Sequence, residues 1–410
     1  MDLNIELPFF TNLLILLVSA KVFGEIFERF KQPAMIGEIL AGIIIGPSLL
    51  GLVHLTENIK VISELGIFLL VILAGLEINI DDILKSLKGK SLIISIMAFF
   101  VPLLCGFAVG YFFGLELMTT MFIGLCIAIT ALPVSIRILM DLGKLNTEVG
   151  QKIISVAIFD DVAALTILGV LLNIKDTNMS FSAVAIVAVM SLLKLIVFIA
   201  LLAFSYYMIR RLSRKGNFLE TTIDKFILLV KGKETLFAAF FAFVLLFSSV
   251  TEALGFHFII GAFFAAMLLS ESILGKENLK NIEKTTGSLA MGFLAPIFFA
   301  GIGLEFNISS IHNIELLISI VLVSYLSKII GGYFGSRFAG LHHKVSLIMG
   351  FGLNARGIME LVIANIAFKA GIIDNEIFSI LVIMGVLTTL TTPIMLKLKN
   401  DEFLALNIYK

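Results

Sequence analysis

The chain has 410 residues, 59% of them hydrophobic and only 15% charged, with a mean hydropathy of +1.08. Soluble domains are nearer half apolar and a quarter charged, so a water-soluble globular protein is excluded and an all-α polytopic membrane protein is indicated. The formal net charge is +0, which offers no basic surface to a nucleic acid and no excess of either sign to a charged macromolecule.

Apolar runs long enough to cross a bilayer recur from end to end, giving about thirteen predicted spans. Residues 9–27 lack the basic flank and small-residue cleavage site of a secretion signal, so they read as a first span and not as a removable leader. Spans at 34–52, 61–79, 91–114, 118–140 and 150–173 follow. A seventh, 181–209, leads into the longest polar stretch, "RRLSRKGNFLETTIDKFILLVKGKE" (210–234), which separates two halves. The second half carries spans at 235–254, 256–271, 289–306, 315–336, 345–368 and 376–396. Loops after the odd-numbered spans, with the C-terminal tail, hold most of the 30 Lys/Arg. Loops after even-numbered spans hold only Lys60, Lys175 and Lys369. Basic residues collect on the cytoplasmic side, so the expected orientation is N-terminus outside and C-terminus in the cytoplasm. Cys105 and Cys126 lie inside apolar spans and read as unpaired packing groups.

The halves resemble each other at a constant shift. Gly75, Leu76, Glu77, Asn79 and Ile80 match Gly303, Leu304, Glu305, Asn307 and Ile308, and the same shift carries Gly124, Leu125 and Gly143 onto Gly352, Leu353 and Gly371. Partners lie an odd number of spans apart and so cross in opposite directions. The pattern predicts an inverted-topology repeat, spans 1–6 and 8–13 joined by span 7, of the kind that places a transport site where the repeats meet.

Matching spans of the two halves are interrupted. Span 5, "GLCIAITALPVSIRILMDLG" (124–143), contains Pro133, which removes a backbone donor, with the hydroxyls of Thr130 and Ser135 close by. Span 12, "GFGLNARGIMELVIANIAFKAG" (350–371), is broken by Asn354, Arg356, Gly357 and Glu360. Unwound backbone at this depth is tolerated only where protein or a water-filled cavity satisfies it, and half-helix ends add partial charges of both signs.

Span 6 holds "AIFDDVAALTILGV" (157–170), in which Asp160 and Asp161 stand in an otherwise apolar run. They fall about 15 Å along the span, half of a hydrocarbon core about 30 Å thick. Each such Asp costs roughly 2.5–3.5 kcal/mol on insertion scales, which marks the pair as functional. Adjacent residues point about 100° apart on a helix, so a division of labour follows: one aspartate held by a counter-charge, the other left for transport. The candidate counter-charge is Lys328, also at mid-depth, in "IVLVSYLSKIIGGYFGSRF" (320–338). Arg356 and Glu360 are four apart and are expected to pair on one helical face. Glu38 reads as a support for backbone in span 2, and Glu77 and Glu305 as repeat relics or caps. The five histidines show no metal spacing; His342 and His343 read as a solvated loop, with a tuning of pH response as the sharper alternative.

With these segments in hand, a resemblance stands out. "QPAMIGEILAGIIIGPSLLG" (32–51), "ITALPVSIRILMDLG", "FDDVAALTILGV" and "LNARGIMELVIANI" resemble, over nearly the whole chain, the monovalent cation/proton antiporters, including NapA-type Na+/H+ antiporters and Kef-type potassium systems. The resemblance implies a thirteen-helix fold, NapA/NhaA-like, with two crossing broken helices. It divides the chain into panel or dimerisation helices (1–80 and 234–312), core helices (91–173 and 315–397), a linker helix with a basic cytoplasmic loop (181–233) and a short cytoplasmic tail (398–410). It implies that Asp161 is the main ion- and proton-binding carboxylate and Asp160 the partner acid. Thr130 would lie in the crossing and Lys328 would be the counter-charge and proton-coupling group. The transported Na+ would be the only metal, held by Asp161 and Asp160. No cofactor is implied beyond transported Na+, Li+ or K+ and H+. The implied setting is the inner or plasma membrane, with the lipid bilayer and a second copy of the chain, as a homodimer, for partners. Adjacent acids, and an end about 14 residues after the last span, favour sodium over the Kef kind, which usually carries Gln–Asp and a soluble nucleotide-binding domain. A K+/H+ antiporter or Kef-type efflux system is the alternative. An intramembrane aspartyl protease is disfavoured, because its acids come from separate helices. A sodium–organic anion cotransporter would not need Asp160, Asp161 and Lys328 together. No nucleotide loop or nucleophile triad appears, so neither an ATP-driven pump nor an enzyme is indicated.

Overall fold

The computed structural model describes residues 8–30, 32–78, 90–132, 135, 139, 147–174, 181–214, 233–269 and 274–398. Among them every regular element is helical, with no strand. In chain order these are α1 (Phe9–Arg29), α2 (Ala34–Ile45), α3 (Glu57–Leu76), α4 (Lys90–Phe112), α5 (Leu117–Ala128), α6 (Glu148–Leu171), α7 (Phe181–Arg214), α8 (Lys233–Ala253) and α9 (Phe258–Leu268). They continue with α10 (Lys276–Leu289), a π turn (Ala290–Leu294), α11 (Ala295–Glu305), α12 (Ile314–Phe338), α13 (His343–Gly352), α14 (Ile358–Lys369) and α15 (Asn375–Leu398). Among the described residues, eight helices are long and apolar enough to cross a membrane. Pro133, Gly143, Asn79, Ile80, Lys175, most of the basic loop and the end of the tail lie outside the described residues.

Local signals explain the ends. Pro8 and Pro33 stand just before α1 and α2, where a missing N–H costs nothing. Asn313 starts α12, its side chain accepting from the Leu316 N–H at 2.9 Å, and Glu376 Oε1 accepts from the His312 and Asn313 N–H groups at 2.7 Å each. One expected loop is helical. The polar stretch before residue 289 forms α10 and runs through the π turn into α11 as one 30-residue helix. Its sequence, KENLKNIEKTTGSL, is rich in helix formers and buries Ile282 and Thr286, so polarity there marks an amphipathic face and not a break.

Two compact units are present. One comprises Phe68–Asp82 and Leu165–Leu289. In it α8 packs on α9 and α9 on α7, around phenylalanine rings such as Phe198, Phe247 and Phe264 with centroids 6.2–6.3 Å apart. The other comprises Met1–Ile67, Ile83–Ala164 and Ala290–Lys410 and holds the candidate site residues that are described. In it α2 lies between α1 and α11, while α4 packs on both α5 and α12. Small residues permit the close approaches that polar side chains at this depth require. A Cβ at Gly124 of α5 would fall 2.6 Å from the Leu103 carbonyl oxygen of α4, and one at Gly350 of α13 would fall 2.7 Å from that of Ile329 of α12.

The pattern of α12 is inside out relative to a soluble helix. Ile314, Ile318, Leu322, Leu326, Ile330, Phe334 and Phe338, at i, i+4 spacing, are exposed. Ser324, Ser327, Lys328, Gly331, Gly332, Gly335 and Ser336 are buried. An apolar stripe of that length suits lipid tails and not water. The polar face is turned inward, and Lys328 goes with it.

Candidate functional site

The helix interruptions meet. α5 ends at Ala128, and Ile129 is already extended, with φ −74° and ψ 144°. The second interruption is the stretch between α13 and α14, with Gly357 at φ −178°. The two unwound stretches bond to each other: the Ala131 N–H donates to the Ala355 carbonyl at 2.8 Å, and the Thr130 hydroxyl donates to the Leu353 carbonyl at 3.0 Å. Each break thus satisfies part of the other's backbone, as burial demands. The first break begins before Pro133, so unwinding starts upstream of the residue that signals it. Ser135 is buried and its N–H donates to the Ala131 carbonyl at 3.0 Å.

The open C-terminal end of α5 is held by two cations, Lys328 of α12 and Arg356 of the second break. Lys328 Nζ donates to the Ala128 carbonyl and, at 3.0 Å, to that of Ala98 on α4. Arg356 Nη2 donates to the Ile127 carbonyl at 2.6 Å and to that of Ser324 on α12 at 3.0 Å. A helix C-terminus carries partial negative charge and unsatisfied carbonyls, so both cations sit where the backbone favours them. The third donor of Lys328 reaches Asp160 Oδ2 at 2.8 Å. Both side chains of this ion pair are completely buried.

Asp160 lies about 18 Å along α6 from its start, close to the depth read from the sequence. The Thr130 hydroxyl also faces its carboxylate. Asp161, next along the helix, is equally buried, and its charge reaches Lys328. The structure therefore brings Asp160, Lys328, Thr130 and Arg356 together around the crossing. Asn354 is buried in the second break, and neither atom of its amide has a hydrogen-bond partner among the described residues.

The expected pairing of Arg356 with Glu360 on one helical face is not made. Arg356 belongs to the unwound stretch, so the spacing of four does not place it on a helix with Glu360. Arg356 turns to the carbonyls of α5 and α12, while both carboxyl oxygens of the buried Glu360 lack hydrogen-bond partners among the described residues. Glu360 sits in the first turn of α14 against Gly385, where an added Cβ would be 3.3 Å from either oxygen. Glu305 is more than a cap: Asn365 Nδ2 donates to its Oε2 at 2.8 Å, tying α11 to α14. His342 and His343 start α13, with His343 Nδ1 2.8 Å from the Tyr333 hydroxyl. Cys105 and Cys126 are free thiols.

The span expected at 376–396 is α15, but sequence reading overlooked its threonines. The buried Thr389 hydroxyl donates to the Arg356 carbonyl in the second break, and Thr388 and Thr392 are buried beside it. The signal was the run "TTLTT" (388–392) in an apolar span.

A cavity of about 330 Å³ opens at the start of α14. Lys21, Gly24, Glu25 and Glu28 of α1, Met35 and Glu38 of α2, Met291 of the π turn, Phe299 of α11 and Ile358 line it, with Pro33 and Ala34. Ile358 is the first residue of α14, so the cavity reaches the end of the second break.

A family model described as sodium/hydrogen exchanger, transmembrane, matches residues 13–398. The chain belongs to that family. Like the family, it is a membrane-embedded secondary transporter exchanging monovalent cations for protons, not an enzyme. Among its relatives is the Na+/H+–K+ antiporter GerN of Bacillus cereus, 30% identical over 96% of both chains. A Na+/H+ antiporter of Enterococcus hirae is 29% identical over 95% of this chain and 98% of that one. The exchanger also shares its fold with the sodium proton antiporter MjNhaP1 of Methanocaldococcus jannaschii, with a TM-score of 0.66 over 96% of both chains at 17% identity.

Proposed function

We propose that this exchanger swaps Na+, or Li+, for H+ by alternating access, with Asp161 binding either a cation or a proton. The observation that carries the reading is the buried Lys328–Asp160 pair, at 2.8 Å, beside the crossing of two unwound helices. Lys328 engages Asp160, and the resemblance assigns the neighbouring buried carboxylate, Asp161, as the exchangeable ligand. The Thr130 hydroxyl, the carbonyls of the breaks and water complete an oxygen shell suited to a hard monovalent cation. Pro133, Ser135, Asn354, Arg356 and Glu360 support the broken helices. If the Asp160–Lys328 pair also gives up a proton, exchange is electrogenic, two H+ per Na+; if it only holds structure, exchange is one for one.

The two interruptions in matching spans support the thirteen-helix inverted repeat, with panel helices in 1–80 and 234–312 and core helices in 91–173 and 315–397. The distribution of Lys and Arg supports a cytoplasmic C-terminus in a plasma or inner membrane. The exposed apolar stripe of α1, with Phe10, Leu14, Val18 and Val22, suits the bilayer or a homodimer seam. K+/H+ exchange is the second reading, favoured by the potassium in the name of the Bacillus cereus relative. Proteoliposomes containing the purified protein and a pH-sensitive dye, challenged in turn with Na+, Li+ and K+, separate the two. Proton movement driven by Na+ and Li+ is expected, and a response to K+ alone would replace the sodium reading.

A further inference from the structure

The two ends of α14 are held differently. The cavity at its start measures about 330 Å³, whereas the space at its end, lined by residues of α3, α11 and α14, is about 10 Å³. What closes that end is polar. Asn365, only 3% exposed, donates from Nδ2 to Glu305 Oε2 of α11 at 2.8 Å, and Asn375 Nδ2 of α15 donates to the Glu305 backbone carbonyl at 3.0 Å. Lys369, in the last turn of α14, reaches Glu64 of α3 at 3.2 Å. The charges of Lys369 and Lys60 both act on Glu305. The Lys369 and Glu64 side chains are 28% and 52% exposed, and ion pairs that wet contribute little. The Asn365–Glu305 bond joins a buried amide to a carboxylate beside two ammonium groups, which is the stronger kind, so it carries most of the closure.

A permanent seam at this depth is expected to be apolar or fully bonded. This one is neither: Ser63 Oγ of α3 and Asn365 Oδ1 are buried in it and bond to no described group. Its surfaces are small, since a Cβ at Gly301 of α11 would stand 3.1 Å from Ser63 Oγ. The Thr119 hydroxyl of α5 donates to the Ile372 carbonyl at 2.8 Å, which ties the turn after α14 to the first broken helix. We propose that Glu305 and Asn365 form a latch that keeps this end of α14 shut, and that it parts when the site opens to that side. The latch rests on the alternating-access reading, in which α3 and α11 belong to the panel and α14 and α15 to the core, and it names a contact that one of the two states must break. Lys60 and Lys369 belong to the sparsely basic side of the chain, so the latched end is the one assigned to the outer face.

Thiol labelling of purified protein in detergent tests this. Ser63→Cys reports on the latched space, at a position only 6% exposed, and the unaltered chain gives the background from Cys105 and Cys126. Adding Asn365→Leu is expected to speed labelling at position 63 about tenfold, the change in open population for one lost hydrogen bond to a charged group. Glu305→Gln keeps a neutral bond and is expected to give a smaller rise. In right-side-out vesicles the apparent KM for external Na+ is expected to fall in Asn365→Leu, because more of the protein is open to that face; a merely structural seam would leave KM unmoved. Labelling no faster in either variant, or faster labelling with an unchanged KM, would overturn the proposal. Should Asn365→Leu not accumulate in the membrane, Glu305→Gln decides alone, and unchanged labelling in it overturns the latch. Exchange by the unaltered protein is the separate control: its absence would sink the antiport reading, while the labelling rates still decide whether Glu305 and Asn365 hold this end closed.

Discussion

Lys328 shows how one residue can serve both structure and chemistry. Its ammonium closes the end of α5 and neutralises Asp160 in the same place. Removing one partner of a buried pair leaves an uncompensated charge, at a cost of about 3–5 kcal/mol. Lys328→Ala is therefore expected to lower the unfolding temperature in detergent sharply. The double variant Asp160→Asn with Lys328→Met should recover most of that loss, and thermal melts of purified protein would check both. Arg356 works by hydrogen bonding to carbonyls, and the Glu360 carboxylate acts on it through its charge and not through a hydrogen bond. Arg356→Ala orphans the carbonyl of Ile127 at the open end of α5, worth about 1–3 kcal/mol when left buried and unpaired. Its expected stability loss exceeds that of Glu360→Gln, whose carboxyl oxygens bond to no described group. Comparable melts of the two variants would contradict this if Glu360→Gln proved the worse.

At the scale of elements, helix approach is set by glycine. A Cβ at Gly350 would collide with the Ile329 carbonyl at 2.7 Å, and α13 must then move away from α12. Gly350→Ala is expected to cost about 1–3 kcal/mol, as overpacking usually does, and to slow exchange because α13 leads into the second break. A melt and a flux assay on the same preparation would test both, and a neutral substitution would refute the packing argument. Much of this level was legible in the sequence. Apolar length gave the spans, the isolated charges gave mid-depth positions for Asp160, Asp161 and Lys328, and the polar cluster around Asn354 located the second break. Other features were not. The first break starts at Ile129, in a stretch with no breaker, because partner carbonyls and the cations of α12 and α14's approach hold it open. The partners of Lys328 and Arg356 are mainly backbone carbonyls, which carry no residue-specific signal. Arg356 was assigned to Glu360 because i, i+4 spacing assumes a continuous helix, and the chain is unwound at that point.

For the whole molecule, the physical problem is to move a charged ion past a low-dielectric barrier without leaving polar backbone unsatisfied. Two crossing breaks answer it by bonding to one another, so that a polar centre persists inside an apolar shell. Voltage then reports stoichiometry. Moving one net charge across the membrane changes the driving force by about 2.3 kcal/mol per 100 mV. If the Asp160–Lys328 pair carries a proton, exchange in proteoliposomes should respond to an imposed potential, and Asp160→Asn should abolish that response. Voltage-insensitive exchange by the unaltered protein would exclude the electrogenic form. The most direct test of the central claim is ion-driven proton flux through purified Asp161→Asn in proteoliposomes, beside the unaltered chain. The account predicts that the variant folds, inserts and exchanges nothing for any alkali cation, and sustained exchange by it would contradict the account.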